Sequence, residues 1–161
     1  MIPAVTSYNS PRRANSVNET EKLTIERSIW IAAPRERVWQ AVTDPAQIAQ
    51  WFAPGTSFSQ NGNKISVRIG EMDLEVAIIE LIDPPRQITT RNLPDRSITT
   101  TYTLEEENGG TRFTVTETGF EALSEDARKE RLDQDDKGWE MALENLKAYI
   151  DGKSLPRPEG F

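Results

Sequence analysis

Apolar and polar residues alternate over residues 22–31: Leu23, Ile25, Ile29 and Ile31 fall on one phase, with Thr24, Glu26 and Ser28 on the other. A period of two predicts a strand with one buried face. Two residues break the pattern, Arg27 in the apolar phase and Trp30 in the polar one. After Ala32-Ala33-Pro34 the period lengthens, and Val38, Trp39 and Val42 recur at helical spacing. This predicts a short helix over residues 34–43, with Pro34 in a first turn where its missing N–H costs nothing. Asp44 then caps a second short helix with Pro45 at its first position. That helix carries Ile48 and ends at Trp51-Phe52, before Pro54-Gly55 breaks the chain.

From residue 56 the pattern is strand and turn. Asn61-Gly62 is a hairpin signal between residues 56–60 and a strand carrying Ile65, Val67 and Ile69. A longer strand follows Gly70, with Leu74, Val76 and Ile78 on one phase and Ala77, Ile79 and Leu81 on the other, and Asp83-Pro84-Pro85 ends it. Residues 87–92 form a short strand containing Ile88, and Leu93-Pro94-Asp95 turns. Ile98, Tyr102 and Leu104 alternate with threonines, which suit strands. Asn108-Gly109-Gly110 turns into a last strand with Phe113 and Val115, ending near Gly119. Ser124, followed by Glu125 and Asp126, opens one long helix that runs to about Asp151-Gly152. Its apolar stripe is Trp139, Ala142, Leu143, Leu146, Tyr149 and Ile150.

The order is strand, two short helices, about six strands and a long helix, an α+β chain. An antiparallel sheet must bury one face, and only the final helix is large enough to cover it. Residues 1–20 read as an aperiodic N-terminal arm, residues 21–152 as one domain and residues 153–161 as a tail, where Pro156 and Pro158 oppose further helix.

Composition narrows the chemistry. With 36% hydrophobic and 28% charged residues, the chain has the make-up of a globular protein rather than a disordered one. The net charge is −7, and 17 of the 19 basic side chains but all 26 acidic ones follow residue 18. So acidic a domain repels phosphate backbones, which argues against nucleic acid as a partner. No apolar run reaches the length of a membrane span, and no secretory leader is evident. A cytoplasmic location is the expectation, although the lack of cysteine leaves the compartment open. There is no histidine either. Thiolate nucleophiles, Cys-based zinc sites and the usual neutral-pH base are therefore absent, and no metal or cofactor is expected. Asp133, Asp135 and Asp136 lie in a helical charged stretch without a calcium-loop pattern and read as a solvated face.

Several short motifs now line up. Residues 33–39 (Ala-Pro-Arg-Glu-Arg-Val-Trp), Thr43-Asp44-Pro45 and residues 51–55 (Trp-Phe-Ala-Pro-Gly) come first. Asp83-Pro84-Pro85, Gly109-Gly110-Thr111 and Gly138-Trp139 follow in order. Together, over about residues 22–151, the chain resembles the START-like (helix-grip, SRPBCC) superfamily, and within it the bacterial homologues of the activator of heat-shock-protein-90 ATPase. The resemblance implies a curved seven-stranded antiparallel sheet wrapped around the C-terminal helix, with a cavity between them. It also implies three kinds of activity: binding of apolar ligands, cyclase chemistry, or, in multidomain eukaryotic relatives, stimulation of the chaperone's ATPase. With 161 residues, the chain is not expected to carry the additional N-terminal domain of those relatives.

On the concave face so implied, the pocket candidates are Arg27, Ile29, Trp51, Phe52, Val67, Val76, Ile78, Ile88, Tyr102, Phe113, Glu117, Trp139 and Leu143. Arg27 and Glu117 are expected to approach each other, because each shares the apolar phase of its strand and the resemblance makes the first and last strands neighbours. Such a pair is either a polar anchor for a ligand or a structural ion pair. Trp51 and Phe52 are either a gate or packing for the helical insertion. Trp39 and Trp139 fit core stripes. Gly138 either kinks the helix, allows a close approach that shapes the cavity, or is merely tolerated. Trp30 is exposed on the convex face, covered by the arm or part of a dimer contact.

The leading expectation is a protein, monomer or homodimer, that binds a small, largely apolar molecule. The alternatives are a co-chaperone or stress-response interaction domain with a chaperone as partner, and a polyketide-cyclase-like enzyme using Glu117, Arg27 or Tyr102. Without histidine, the usual base near neutral pH, the enzyme is possible but disfavoured.

Overall fold

A computed structural model describes residues 23–160, so the predicted arm lies outside the described residues. Seven strands form one antiparallel sheet: β1 (Ile25–Ile31), β2 (Ser57–Asn61), β3 (Lys64–Ile69), β4 (Met72–Asp83), β5 (Gln87–Asn92), β6 (Thr99–Glu107) and β7 (Gly110–Thr118). Their spatial order is β1-β7-β6-β5-β4-β3-β2, so the first and last strands pair and β2 is the far edge. Helices α1 (Arg35–Thr43) and α2 (Pro45–Trp51) bridge β1 to β2. Helix α3 (Glu125–Ile150) closes the chain after a single 3-10 turn at Phe120–Ala122. This is the helix-grip arrangement.

The local signals act where expected, with small shifts. The Asp44 carboxylate accepts the Ala46 N–H at the start of α2, with Pro45 at its first position, and Ser124 Oγ accepts the Ala127 N–H at the start of α3. Pro34, expected inside the first turn of α1, is instead its N-cap, with an extended backbone. Two glycines are fixed by close approach. A Cβ on Gly119, at φ +102, would overlap the Ser97 carbonyl. A Cβ on Gly110 would overlap the Ile31 carbonyl and come within 2.8 Å of the Trp30 ring. Trp30 lies across the β6–β7 turn, and its indole N–H donates to the Glu107 carbonyl at 2.7 Å.

The core is concentrated over β1, β7 and β6. Ile25, Ile31, Leu104, Phe113 and Val115 from the sheet meet Trp139, Ala142, Leu143 and Leu146 from α3, with Val38, Ala41 and Val42 of α1 alongside. Trp51 is fully buried and donates its indole N–H to the Ala41 carbonyl at 2.8 Å, locking α1 to α2. Asn145, polar and fully buried on α3, was not anticipated. Its Nδ2 donates to the carbonyls of Trp51 (3.1 Å) and Arg157 (2.9 Å), and its Oδ1 accepts the Arg157 N–H at 2.9 Å. The C-terminal segment is thereby pinned back against α2 and α3. All three polar groups of the amide find partners, which is how a buried Asn avoids a desolvation cost.

Substituting Gly119→Ala should destabilise the domain by about 2–4 kcal/mol, because it adds both positive-φ strain and a backbone clash. Denaturant unfolding would show this as a lower midpoint at unchanged slope.

Candidate functional site

The core covers only part of the concave face. Beyond it, between the α1–α2 insertion and strands β3–β6, lies a cavity of about 190 Å³. Val42 and Thr43 from α1, Ile48 from α2, and Phe52 form one side. Phe58, Ile65, Val76, Ala77, Ile79, Ile82, Ile88, Thr90, Thr100 and Tyr102 are among the residues forming the sheet side. Two register shifts in β4, one opposite Ile65/Ser66 and one between Ile79 and Leu81, explain why residues of both predicted phases line it. Strict alternation along β4 could not have placed Val76, Ala77, Ile79 and Ile82 together.

A second, wider crevice of about 670 Å³ opens beside α3. Phe52, Pro54, Gly138, Trp139, Met141 and Gly160 give it apolar surface, and Glu117, Arg131, Asp135, Lys137 and Glu159 give it charge. Phe52 borders both spaces. Its ring centroid lies 5.7 Å from that of Trp139, which in turn lies 5.8 Å from Tyr102. The three rings form the partition between the spaces.

Glu117 is the electrostatic centre of this region. It sits on β7, is only 6% exposed, and accepts the Thr100 hydroxyl proton on Oε2 at 2.8 Å, while Oε1 has no hydrogen-bond partner among the described residues. Burial pushes its pKa up to about 7, against the pull of Thr100; the neighbouring Asp135 carboxylate raises it further, and the Trp139 side chain lowers it. Burial also raises the Tyr102 phenol, with the Glu117 charge adding to the effect.

The predicted Arg27–Glu117 approach is not made. The register pairs Ile25 with Glu117 and Arg27 with Val115, so the two side chains share a face. Arg27 instead forks onto Asp136 (2.9 Å twice) and reaches Glu140 at 3.2 Å, because β1 is an edge strand that α3 overlies with its acids. The Arg27 guanidinium in turn holds the Asp136 carboxyl below the ordinary range. Arg131 pairs with Asp135 at 3.0 Å. The acidic stretch of α3, read from the sequence as a solvated face, is therefore open to solvent at Asp133 and half-exposed but paired at Asp136, while Asp135 is largely covered.

The other candidates divide. Phe52, Val76, Ile88 and Tyr102 line the inner cavity, and Phe52, Glu117 and Trp139 line the crevice. Trp51, Phe113 and Leu143 are core, and Ile29 packs against them. Ile78 pairs with Lys64 and Arg91 on the opposite sheet face, again because of the bulges. Val67 shares the face of Phe58 but lies further out along β3, outside the cavity lining. Gly138 permits no close approach, since a Cβ there would meet nothing within 4 Å; its missing side chain leaves the crevice open. Asp135, Thr100, Phe58 and Ile65 were missed, the first two because nothing local marks a helix acid or a strand threonine as facing a buried carboxyl. Among the described residues no group of three His, Cys, Asp or Glu could hold a metal ion, and no helix is long and apolar enough to cross a membrane.

The sheet, grip helix and internal space define the class, a START-like helix-grip domain. The family model for Activator of Hsp90 ATPase homolog 1-like protein matches residues 32–151, and the chain belongs to that family. Among solved structures it is similar to SSP2350 from Staphylococcus saprophyticus, at 26% identity and a TM-score of 0.65, over 82% of this chain and 95% of that one. It also shares its fold with DynU16, a protein of the dynemicin biosynthetic locus, at 22% identity and a TM-score of 0.64 over 86% of this chain. There the match covers 50% of the other chain, so this chain spans about half the length of DynU16. The Aha1 dimer from Colwellia psychrerythraea has the same fold at 17% identity and a TM-score of 0.64, over 79% of this chain and 95% of that one. No curated protein matches the chain.

Because folding raises the Glu117 pKa, the folded state holds a proton that the unfolded chain releases at lower pH. Its neutral form is stable below the unfolded value, and stability is lost as pH rises through about 7. Wild type should therefore lose on the order of 2–3 kcal/mol between pH ~4.5 and ~8 from this group, and Glu117→Gln should flatten that slope in denaturant titrations across pH.

Proposed function

We propose that the chain binds a small, largely apolar molecule in the inner cavity. The observation that carries this reading is a partly open cavity of about 190 Å³ with mostly aliphatic and aromatic walls and few polar groups, namely Thr43, Gln60, Thr90, Thr100 and Tyr102. An apolar cavity of about 150 Å³ suffices to take up benzene, whereas sites for drug-sized ligands start near 300 Å³. A single aromatic ring or a short branched chain is thus the class that fits. The Tyr102 phenol stays protonated at neutral pH and can donate to a single polar group on such a ligand.

Benzene, indole and short-chain alcohols, each titrated into the protein, should include at least one that raises the melting temperature saturably. Val76→Phe, which grows a ring into the cavity, should abolish that shift while the protein still melts cooperatively. A flat response across the panel in wild type would remove the proposal.

A second reading, protein contact of the chaperone-activating kind, is favoured by one feature. At the β3–β4 tip, Ile69, Met72 and Leu74 are exposed at 60%, 69% and 47%. The register places them on the face of Val67 and Phe58, as one apolar strip. On this reading the chain stimulates a purified Hsp90-type ATPase, and the double change Met72→Glu with Leu74→Glu removes the stimulation without lowering the melting temperature.

A further inference from the structure

We propose that the crevice beside α3 is a second binding site, for a molecule that carries an ammonium group on an apolar body. In it, Glu117 Oε1 accepts from the ammonium while Phe52 and Trp139 cover the apolar part. This inference does not rest on the inner cavity being occupied.

The first support is the unmatched acceptor. Buried carboxyl oxygens are nearly always hydrogen-bonded, and one left without a donor costs the full desolvation of that atom. Glu117 is 94% buried by its 6% exposure, lines the crevice, and spends only Oε2 on Thr100.

The second support is that the neighbouring arginines are already engaged. On α3, Arg131 donates Nε to both Asp135 oxygens at 3.0 Å. Arg27 of β1 is committed to Asp136 and Glu140. On β6, Thr100 donates to Oε2 and Tyr102 is an uncharged phenol. Lys137 is on the crevice lining but makes no ion pair among the described residues, and Glu159 of the C-terminal segment adds another acid. Asp135 is paired with Arg131 and also hydrogen-bonds the Glu117 carboxyl, and among the described residues no cation lies within ion-pair distance of Glu117. An anionic ligand would meet uncompensated Glu117, whereas an ammonium would supply both the missing donor and the missing charge.

The third support is the wall. Indole and phenyl faces attract a cation through their quadrupoles, and aromatic surroundings with one carboxylate are a recurring way of holding an alkylammonium. The absent side chain of Gly138 leaves space on α3 beside Trp139.

The ligand's charge then has a pH signature. Near neutral pH the Glu117 carboxyl is divided between its two forms, so an ammonium, which needs the anion, displaces its proton. Affinity rises with pH from about 6 to about 8 and protons are released on binding.

The probe pair is 2-phenylethylamine against 2-phenylethanol, titrated into the full chain while the Trp139 indole N–H resonance is followed. The expected result is a saturable shift with the amine, at least tenfold tighter than with the alcohol at pH 8, and several-fold weaker amine binding at pH 6. Glu117→Gln should lose both the preference for the amine and its pH dependence. Val76→Phe should keep both, which separates this site from the inner cavity. If the Gln variant does not fold, calorimetry of the wild type in two buffers of different ionisation enthalpy takes its place, with proton release expected. Equal binding of the two probes, an unchanged amine preference in Glu117→Gln, tighter binding at pH 6, or absence of proton release would each overturn the proposal.

Discussion

One helix cannot cover seven strands. A 26-residue helix is about 39 Å long but only about 10 Å wide, while seven strands span roughly 29 Å from edge to edge. Helix α3 therefore buries β1, β7 and their neighbour β6, where the core is dense, and leaves the rest of the concave face to be covered by other means. The α1–α2 insertion does this only in part. It reaches across toward β2 and closes over the sheet with Val42, Ile48 and Phe52. The inner cavity is the space that this shorter cover leaves unfilled.

The cover is held by polar bonds as much as by apolar packing. Trp51 ties α2 to α1 through the Ala41 carbonyl, and Asn145 ties α3 to α2 and to the C-terminal segment. Gln47 accepts from both Arg37 and Tyr149, joining all three helices at a further point. These are directional contacts in buried or half-buried positions, so they fix the helices against one another more narrowly than apolar contact would. The rings of Phe52, Tyr102 and Trp139 stand on that frame and divide the remaining space in two. Glu117 lies at the division, accepting a hydrogen bond from Thr100 of the inner cavity and lining the crevice itself.

Charge follows the same geometry. Where α3 overlies the edge strand β1, its acids find Arg27 and the pair stays partly solvated. One position further into the sheet, Glu117 is beyond reach of Arg27 and sits under the helix, where the nearest charged neighbour is another carboxylate. Two residues with the same sequence signature, a charge in an apolar phase, therefore end in opposite electrostatic situations.

The order and type of the elements were legible in the chain, because they depend on local periods and on capping residues such as Asp44, Pro45 and Ser124, which act within one turn of where they stand. The concave positions of Ile88, Tyr102 and Glu117 were legible for the same reason. What only the tertiary structure decided is whatever depends on register and on distance between elements. Bulges in β4 turned Ile78 outward and brought Ala77 and Ile79 inward, and no alternation pattern encodes a bulge. The choice of Asp136 over Glu117 as the partner of Arg27 was set by where α3 crosses β1, and the pinning of the last residues was set by a single buried amide on that helix. Such outcomes depend on separations of a few ångströms between parts of the chain that lie from 12 to 109 residues apart, and local sequence carries no record of them.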